Sequence, residues 1–184
     1  MKCKVVSVLL SFLFLSCAAS LEYSTDYPLT KESFRSRDGM LGGRVPQGWF
    51  SINEDTLAPA LMAWIVKEDF SATLALKVLQ LDSLSALRVE KDGLKLLAHL
   101  SFALHNNNPG NVNQAINPKE FKIHDRKFCS YELNDGTSWK RVVVFATRGK
   151  YYECETMSMK QPQSKEEIKD IFTAQQTLLS SLTF

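Results

Sequence analysis

The sequence lacks most of the motifs that enzymes use to carry chemistry. It contains no Gly-x-Ser-x-Gly turn and no His-Glu-x-x-His helix, and its three histidines and four cysteines show no structural zinc spacing. The glycine-rich segment at 39–43 lacks the lysine and the following helix of a phosphate-binding loop. We therefore expect a protein that is not an enzyme and that has no cofactor and no metal site.

The chain also has almost no net charge. Two of its 22 basic residues, Lys2 and Lys4, lie at the extreme amino terminus, which leaves 20 basic residues against 20 acidic ones. A domain that binds nucleic acid needs a basic surface to offset the phosphates. The balance of charge predicts that nucleic acid is not a partner.

One long apolar run is present, and it lies at the start of the chain. Lys2 and Lys4 precede an apolar stretch from Val5 to Leu15, which is shorter than the ~20 apolar residues of a membrane-spanning helix. No later run is long enough to span a bilayer. The layout predicts a signal peptide over residues 1–16 and an exported protein.

Cys17 stands directly behind this apolar run. The sequence Leu15-Ser16-Cys17 resembles the end of a bacterial lipoprotein signal. The resemblance implies cleavage before Cys17, a lipid on that cysteine and a membrane-anchored extracytoplasmic protein. The alternative is an ordinary signal peptidase that cuts after Ala19 or Ser20, which would release a secreted or periplasmic protein.

The polar stretch after the leader separates this anchor from the rest of the chain. Residues 17–33 show no hydrophobic period, and we interpret them as a flexible tether. The folded domain is then expected to start near Phe34 and to cover residues 34–184. A domain of this size can bury a substantial core.

Alternating apolar residues and turn motifs predict antiparallel strands. The turns Asn134–Thr137 and Arg148–Gly149 join three strands into a meander. A hairpin precedes the meander in the sequence. The predicted strands are 63–66, 72–79, 127–133, 139–146 and 151–157.

The meander predicts the state of the two cysteines of the domain. Its register places Cys129 near Val144, and Val144 near Glu153 or Cys154, so the cysteines lie on strands separated by a third strand. Their separation would be about 9 to 10 Å, whereas a disulfide needs Cα atoms within ~7 Å. The sequence favours two reduced, mostly buried thiols over a bridge.

Helices are predicted on both sides of the meander in the sequence. The first begins at Asp82 or Ser83, with a break at Gly93, and the last follows the capping-box pair Ser164 and Glu167. The asparagine-rich stretch from Asn106 to Pro118 is predicted to be a surface loop.

A few side chains are candidates for a ligand or partner contact. They are two asparagines of the predicted loop and two aromatic residues at strand starts, namely Asn107, Asn111, Trp139 and Tyr151. Glu153 and Glu155 share one face of a predicted strand, about 7 Å apart. We expect these two carboxylates to form an exposed acidic face.

The order of elements resembles the PsbP-like fold. The resemblance rests on Val45-Pro46-Gln47-Gly48-Trp49, the strands and helix that follow, the region Phe121–Met157 and the closing segment Leu178–Phe184. It implies an α+β protein with an α/β/α sandwich around a central antiparallel sheet. The fold occurs in an extrinsic photosystem subunit, a nuclear Ran-binding factor and many small bacterial exported proteins and lipoproteins, whose roles are accessory or binding roles.

These observations lead to one main hypothesis and two alternatives. The main hypothesis is a lipid-anchored, non-catalytic accessory protein of the bacterial cell envelope that contacts another envelope protein. The first alternative is an extracytoplasmic protein that binds a small ligand between the sheet and the asparagine-rich loop. The second is a thiol enzyme, which would require Cys129 or Cys154 to be accessible.

Overall fold

The computed structural model describes residues 24–36, 39–52, 60–105, 116–134, 136, 138–162 and 164–184. These residues form strands and helices in the following order along the chain: β1 (Leu29–Arg35), β2 (Gly42–Pro46), β3 (Trp49–Ile52), β4 (Ala63–Lys67), β5 (Ala72–Leu79), α1 (Ser83–Asp92), α2 (Leu94–His105), β6 (Lys119–Ile123), β7 (Arg126–Asn134), β8 (Trp139–Thr147), β9 (Lys150–Ser158) and α3 (Lys165–Ser181).

A seven-stranded antiparallel sheet forms the centre of the molecule. Its strand order is β3-β4-β5-β9-β8-β7-β6, and β1 and β2 form a separate two-stranded sheet. The predicted meander is β7, β8 and β9. Its predicted register is confirmed, because Cys129 lies opposite Val144 and Val144 lies opposite Glu153.

The two faces of the sheet are covered by different elements. Helices α1 and α2 pack on one face, where Val89 and Leu97 meet Val142 and Val144 in one apolar core. The other face carries the larger core, which α3 covers together with residues of β1 and β2. The predicted α/β/α sandwich around an antiparallel sheet is therefore confirmed.

Local sequence signals set the helix boundaries. Asp82 caps α1 by accepting a hydrogen bond from the Ser85 N–H, and Gly93, with φ of 82°, separates α1 from α2. Ser164 caps α3 by accepting a hydrogen bond from the Glu167 N–H at 3.1 Å. Among the described residues, no helix combines the length and the apolar character needed to cross a membrane.

The folded domain begins earlier than the sequence predicted. Strand β1 starts at Leu29, and the N–H of Tyr27 already donates to Thr177 Oγ1 of α3 at 3.2 Å. The predicted boundary near Phe34 is thus too late, and residues 24–33 belong to the domain. The sequence pattern missed β1 because Phe34 is its only fully buried residue, and its pairing with β2 is a tertiary contact.

Candidate functional site

The predicted exposed acidic face does not exist, because both of its carboxylates are buried. Glu153 has no exposed surface, and Glu155 keeps only 9% of its surface exposed. The strand alternation was predicted correctly, since both residues of β9 point to the face that α1 and α2 cover, opposite Val144 and Val142. The prediction was wrong about the exposure of the two glutamates. Polar side chains from other elements pair with their carboxylates and allow them to be buried.

These partners come from four elements and form what we call the carboxylate cluster. Strand β5 supplies one lysine and strand β8 another, while α2 supplies a serine and a histidine four residues apart. Strand β7 adds a tyrosine that reaches the serine. The carboxylate cluster consists of Glu153, Glu155, Lys77, Ser101, His105, Tyr131 and Lys140.

Glu153 is bound by side chains of α2. His105 Nε2 lies 2.8 Å from Glu153 Oε1, and the Ser101 hydroxyl donates to Glu153 Oε2 at 2.6 Å. An ionised carboxylate only accepts hydrogen bonds, so His105 Nε2 carries a proton and donates it. Because the single proton of the Ser101 hydroxyl is donated to Glu153, the Tyr131 hydroxyl must be the donor in its 2.9 Å hydrogen bond to Ser101 Oγ.

Two lysines balance the charge of the two carboxylates. The Lys77 ammonium lies 3.5 Å from Glu153 Oε1 and 3.1 Å from Glu155 Oε2. The Lys140 ammonium lies 3.0 Å from Glu155 Oε1. Because buried charges persist only when they are paired and hydrogen-bonded, this arrangement keeps both carboxylates ionised.

The pKa shifts agree with this geometry. Burial raises the pKa of Glu153, but the hydrogen bonds from His105 and Ser101 outweigh it, and its pKa lies below the ordinary value. Burial also raises the pKa of Glu155, and the charges of Lys77 and Lys140 again reverse the effect. The pKa of the Tyr131 phenol is raised by its burial.

The order of groups in the cluster does not match a catalytic triad. In a triad the histidine lies between the nucleophile and the acid, so that it can take the proton of the nucleophile. Here Glu153 lies between Ser101 and His105. Ser101 also has no exposed surface, so its hydroxyl cannot reach a substrate.

The cluster contains a set of possible metal ligands. One ligand atom from each of His105, Glu153 and Glu155 lies within 4.8 Å of the others. However, the two lysines already provide the cationic charge, and His105 Nε2 uses its proton on Glu153. A divalent ion would have to displace these contacts, so the donor set as arranged does not fit a metal.

The candidate contact residues of the sequence are dispersed. Cys17, Asn107 and Asn111 lie outside the described residues. Trp139 is half-buried at the start of β8, where its backbone N–H donates to Ser158 Oγ at 2.8 Å. Tyr151 is half-buried under α1, and its hydroxyl donates to the Ala86 carbonyl at 3.3 Å. Its ring packs against the apolar core on this face of the sheet.

Both thiols of the domain are free and buried, on opposite faces of the sheet. Burial raises the pKa of Cys129 and that of Cys154 to about 12. We expect neither thiol to react with iodoacetamide at pH 8 in the native state, whereas both should react in urea. Mass spectrometry after timed alkylation measures the fraction of each thiol that has reacted. Rapid labelling of either cysteine in the native state would contradict this prediction and support the thiol-enzyme alternative.

An aromatic surface feature, which we call the Phe70 patch, comprises Phe50, Phe70 and Met159. Phe70 is 63% exposed and Met159 is 54% exposed. The rings of Phe50 and Phe70 meet edge to face with centroids 5.9 Å apart. The N–H of Met159 donates to the Ser71 carbonyl at 2.7 Å, which places Met159 beside the turn that carries Phe70.

The backbone of Phe70 is in an unusual conformation. Its φ of 56° is in the left-handed region, where glycine and asparagine are common and bulky residues are not. The surrounding turn maintains it, because Asp69 Oδ1 accepts hydrogen bonds from the N–H and the hydroxyl of Ser71 at 2.9 and 2.6 Å. His124 and Arg148 have similar φ values, 52° and 50°, in the β6–β7 and β8–β9 turns, so this conformation is a requirement of tight hairpin turns.

Sequence reasoning paired Glu153 with Glu155 but missed the partners of these carboxylates and the Phe70 patch, although some signals were present. Lys77 interrupts the apolar stretch of β5, and Ser101 falls among leucines that recur at helical spacing in α2. Polar residues at such buried positions indicate partners elsewhere in the fold. An aromatic residue in the tight turn between β4 and β5 was the corresponding signal for the Phe70 patch.

Comparison with known proteins identifies the fold. The chain superposes on the solution structure of cyanobacterial PsbP (CyanoP) from Synechocystis sp. PCC 6803 with a TM-score of 0.50 and 12% identity, over 83% of this chain and 91% of that one. It superposes on the Ran-binding protein Mog1p of Saccharomyces cerevisiae with a TM-score of 0.52 and 10% identity, over 84% and 95%. No protein-family model and no curated protein sequence matches the chain. The domain thus has a PsbP/Mog1-like fold.

Proposed function

We propose that this protein is a non-catalytic accessory protein of the bacterial cell envelope, held at the membrane by a lipid on Cys17. Its folded domain binds another envelope protein through the Phe70 patch. The observation that carries the proposal is the outward placement of Phe70, which leaves a large aromatic side chain 63% exposed at the tip of a turn.

The absence of catalysis is supported by how the reactive groups are arranged. The carboxylate cluster brings several titratable side chains together, but its Glu153 is fully buried and hydrogen-bonded within the domain. The thiols of Cys129 and Cys154 are buried as well. A site of this kind stabilises a fold, whereas an active site must present its reacting atoms to a substrate.

A protein partner is supported by the composition of the Phe70 patch. Exposed aromatic and methionine side chains are enriched in protein interfaces. The charged side chains around the turn, Lys67, Glu68, Asp69 and Lys160, balance one another. The apolar contact therefore provides the affinity, and the partner is expected to present an apolar pocket with little net charge.

The patch lies at the end of the domain where the chain enters. The Glu68 N–H donates to the Gly48 carbonyl at 2.9 Å, and the Gln47 N–H donates to the Pro28 carbonyl at 2.8 Å. Six residues lie between Cys17 and Ser24, and the seven steps along the chain can span at most about 25 Å. A lipid on Cys17 would keep this end near the membrane, where envelope proteins are available to it.

The test is immunoprecipitation of the untagged chain from crosslinked envelope. Phe70→Asn removes the ring, and asparagine tolerates a positive φ, so the turn is preserved. We expect this variant to recover the partner at a level reduced about tenfold or more, as for an aromatic interface residue. Leu87→Ser is the matched control, because Leu87 is equally exposed, at 62%, but lies on α1.

Two results would contradict the proposal. One is that the wild-type chain recovers no reproducible protein, as expected if the patch inserts into lipid. The other is that Phe70→Asn recovers the same protein at the wild-type level. Loss of the partner in Leu87→Ser alone would assign the interface to α1 and would also refute the role of the Phe70 patch.

A further inference from the structure

A pocket of about 420 Å³ opens where β7 begins and β8 ends. Leu94, the first residue of α2, lines it, so the pocket lies at the opposite end of α2 from His105. The carboxylate cluster and the Phe70 patch contribute no residue to it. Its volume is within the range of small-molecule sites.

Two aromatic residues of the core back the pocket, and its more accessible apolar lining is Leu94, Ala146 and Phe184. Phe128 and Phe145 are buried and lie 5.5 Å apart between ring centroids. The ring of Phe184 lies 6.3 Å from that of Phe145 and provides a further apolar wall. Such a surface favours the apolar or aromatic part of a ligand.

The charged residues of the pocket come from the turn between β6 and β7. Arg126 and Lys127 supply two positive charges and Asp125 supplies one negative charge. Arg126 Nη1 donates to the Leu182 carbonyl at 2.6 Å, and its guanidinium lies 4.5 Å from the centre of the Phe184 ring. These contacts hold a guanidinium, whose planar fork suits carboxylate and similar anions, beside the apolar wall.

We propose that this pocket binds a small amphipathic anion. The apolar part of the ligand rests on Leu94, Ala146 and Phe184, and its anionic group pairs with Arg126 and Lys127. Acyl carboxylates and aromatic carboxylates share this chemistry, and both are compatible with the size of the pocket.

The test is a fluorescence titration with 1-anilinonaphthalene-8-sulfonate, an aromatic sulfonate. The exported full chain carrying Cys17→Ser is used, so that neither a lipid nor a detergent competes for the pocket. We expect one saturable site, whose Kd rises about tenfold in Arg126→Gln because a charge-assisted contact is lost. Arg148→Gln, an exposed arginine in the β8–β9 turn outside the pocket, should leave the Kd unchanged.

Competition distinguishes the two classes of ligand. Decanoate displaces the probe if acyl carboxylates bind, and 1-naphthoate displaces it if aromatic carboxylates bind. Decanol has the chain of decanoate without its charge, and we expect it to displace the probe at least about tenfold less well. Equal displacement by decanol and decanoate would overturn the role of the cations.

A second variant keeps the test decisive if Arg126→Gln does not fold. Ala146 lines the pocket and its side chain is exposed, so Ala146→Phe fills the space without disturbing the core. We expect this variant to fold and to lose saturable binding. Binding in Ala146→Phe with the wild-type Kd, or no saturable binding by the unchanged pocket, would overturn the proposal.

Discussion

Replacing Glu153 with alanine is expected to lower the free energy of unfolding by about 3 kcal/mol. The change removes the acceptor for His105 Nε2 and for the Ser101 hydroxyl, which has no exposed surface. It also leaves Lys77 with one carboxylate instead of two. Equilibrium unfolding in urea, followed by circular dichroism, measures the loss.

Two further variants separate charge from hydrogen bonding in this cluster. Glu153→Gln keeps the shape and an acceptor oxygen, and its expected loss is about half that of the alanine variant. Glu90→Ala, at an exposed glutamate of α1, should change stability by less than about 0.5 kcal/mol. A Glu153→Ala variant as stable as the wild type would show that the carboxylate cluster does not stabilise the fold.

The pH dependence of stability follows from the same contacts. The pKa values of Glu153 and Glu155 are lowered in the folded state, so the unfolded chain binds more protons at acidic pH. The stability that they contribute is complete above the ordinary glutamate pKa of 4.5 and is lost as the pH falls through their folded pKa values. The urea midpoint should therefore fall less steeply between pH 7 and pH 3 in Glu153→Gln than in the wild type.

The second large effect is expected at the core beneath α3. Leu178 is 1% exposed and belongs to the apolar core between α3 and the sheet. Leu178→Ala removes three buried carbon atoms and leaves a cavity, which costs about 2 to 5 kcal/mol in cores of this kind. A decrease of about 3 kcal/mol in the unfolding free energy, measured in urea with an unchanged m value, would agree with the packing of Leu178 between α3 and the sheet.

The control for this prediction lies on the same helix. Asp170 is exposed on α3, and Asp170→Ala should change the unfolding free energy by less than about 0.5 kcal/mol. An equal loss in both variants would show that the loss in Leu178→Ala does not come from burial against the sheet, because alanine has the highest helix propensity and does not weaken the helix itself. A negligible loss in Leu178→Ala would contradict the packing of α3 on the sheet.

Local signals predicted a large part of this fold. The turns around Asn134–Thr137 and Arg148–Gly149 set the strand register, because a hairpin turn determines which residues face each other. Ser164 and Glu167 marked the start of α3 for a similarly local reason. The sandwich architecture was implied by the resemblance to the PsbP-like fold and was confirmed.

The sites could not be predicted in the same way, because their parts are distant in sequence. Glu153 contacts Ser101, which is 52 residues away in the sequence, and Lys77, which lies on the neighbouring strand β5. Neither contact leaves a local motif in the sequence. Without those partners, glutamates of a strand are expected to be exposed. The Phe70 patch depends on a backbone angle, and the pocket depends on where Phe184 and the β6–β7 turn meet.

The proposal that this is an exported, lipid-anchored protein is tested most directly by the mass of the mature amino terminus. Mass spectrometry compares the full chain with Cys17→Ser after expression in a bacterial host. The account predicts that the wild-type chain begins at Cys17 with a mass increased by acyl chains, and that this increase disappears in the variant. An unmodified amino terminus at Ser20 or Leu21, or a chain that retains Met1, would contradict it.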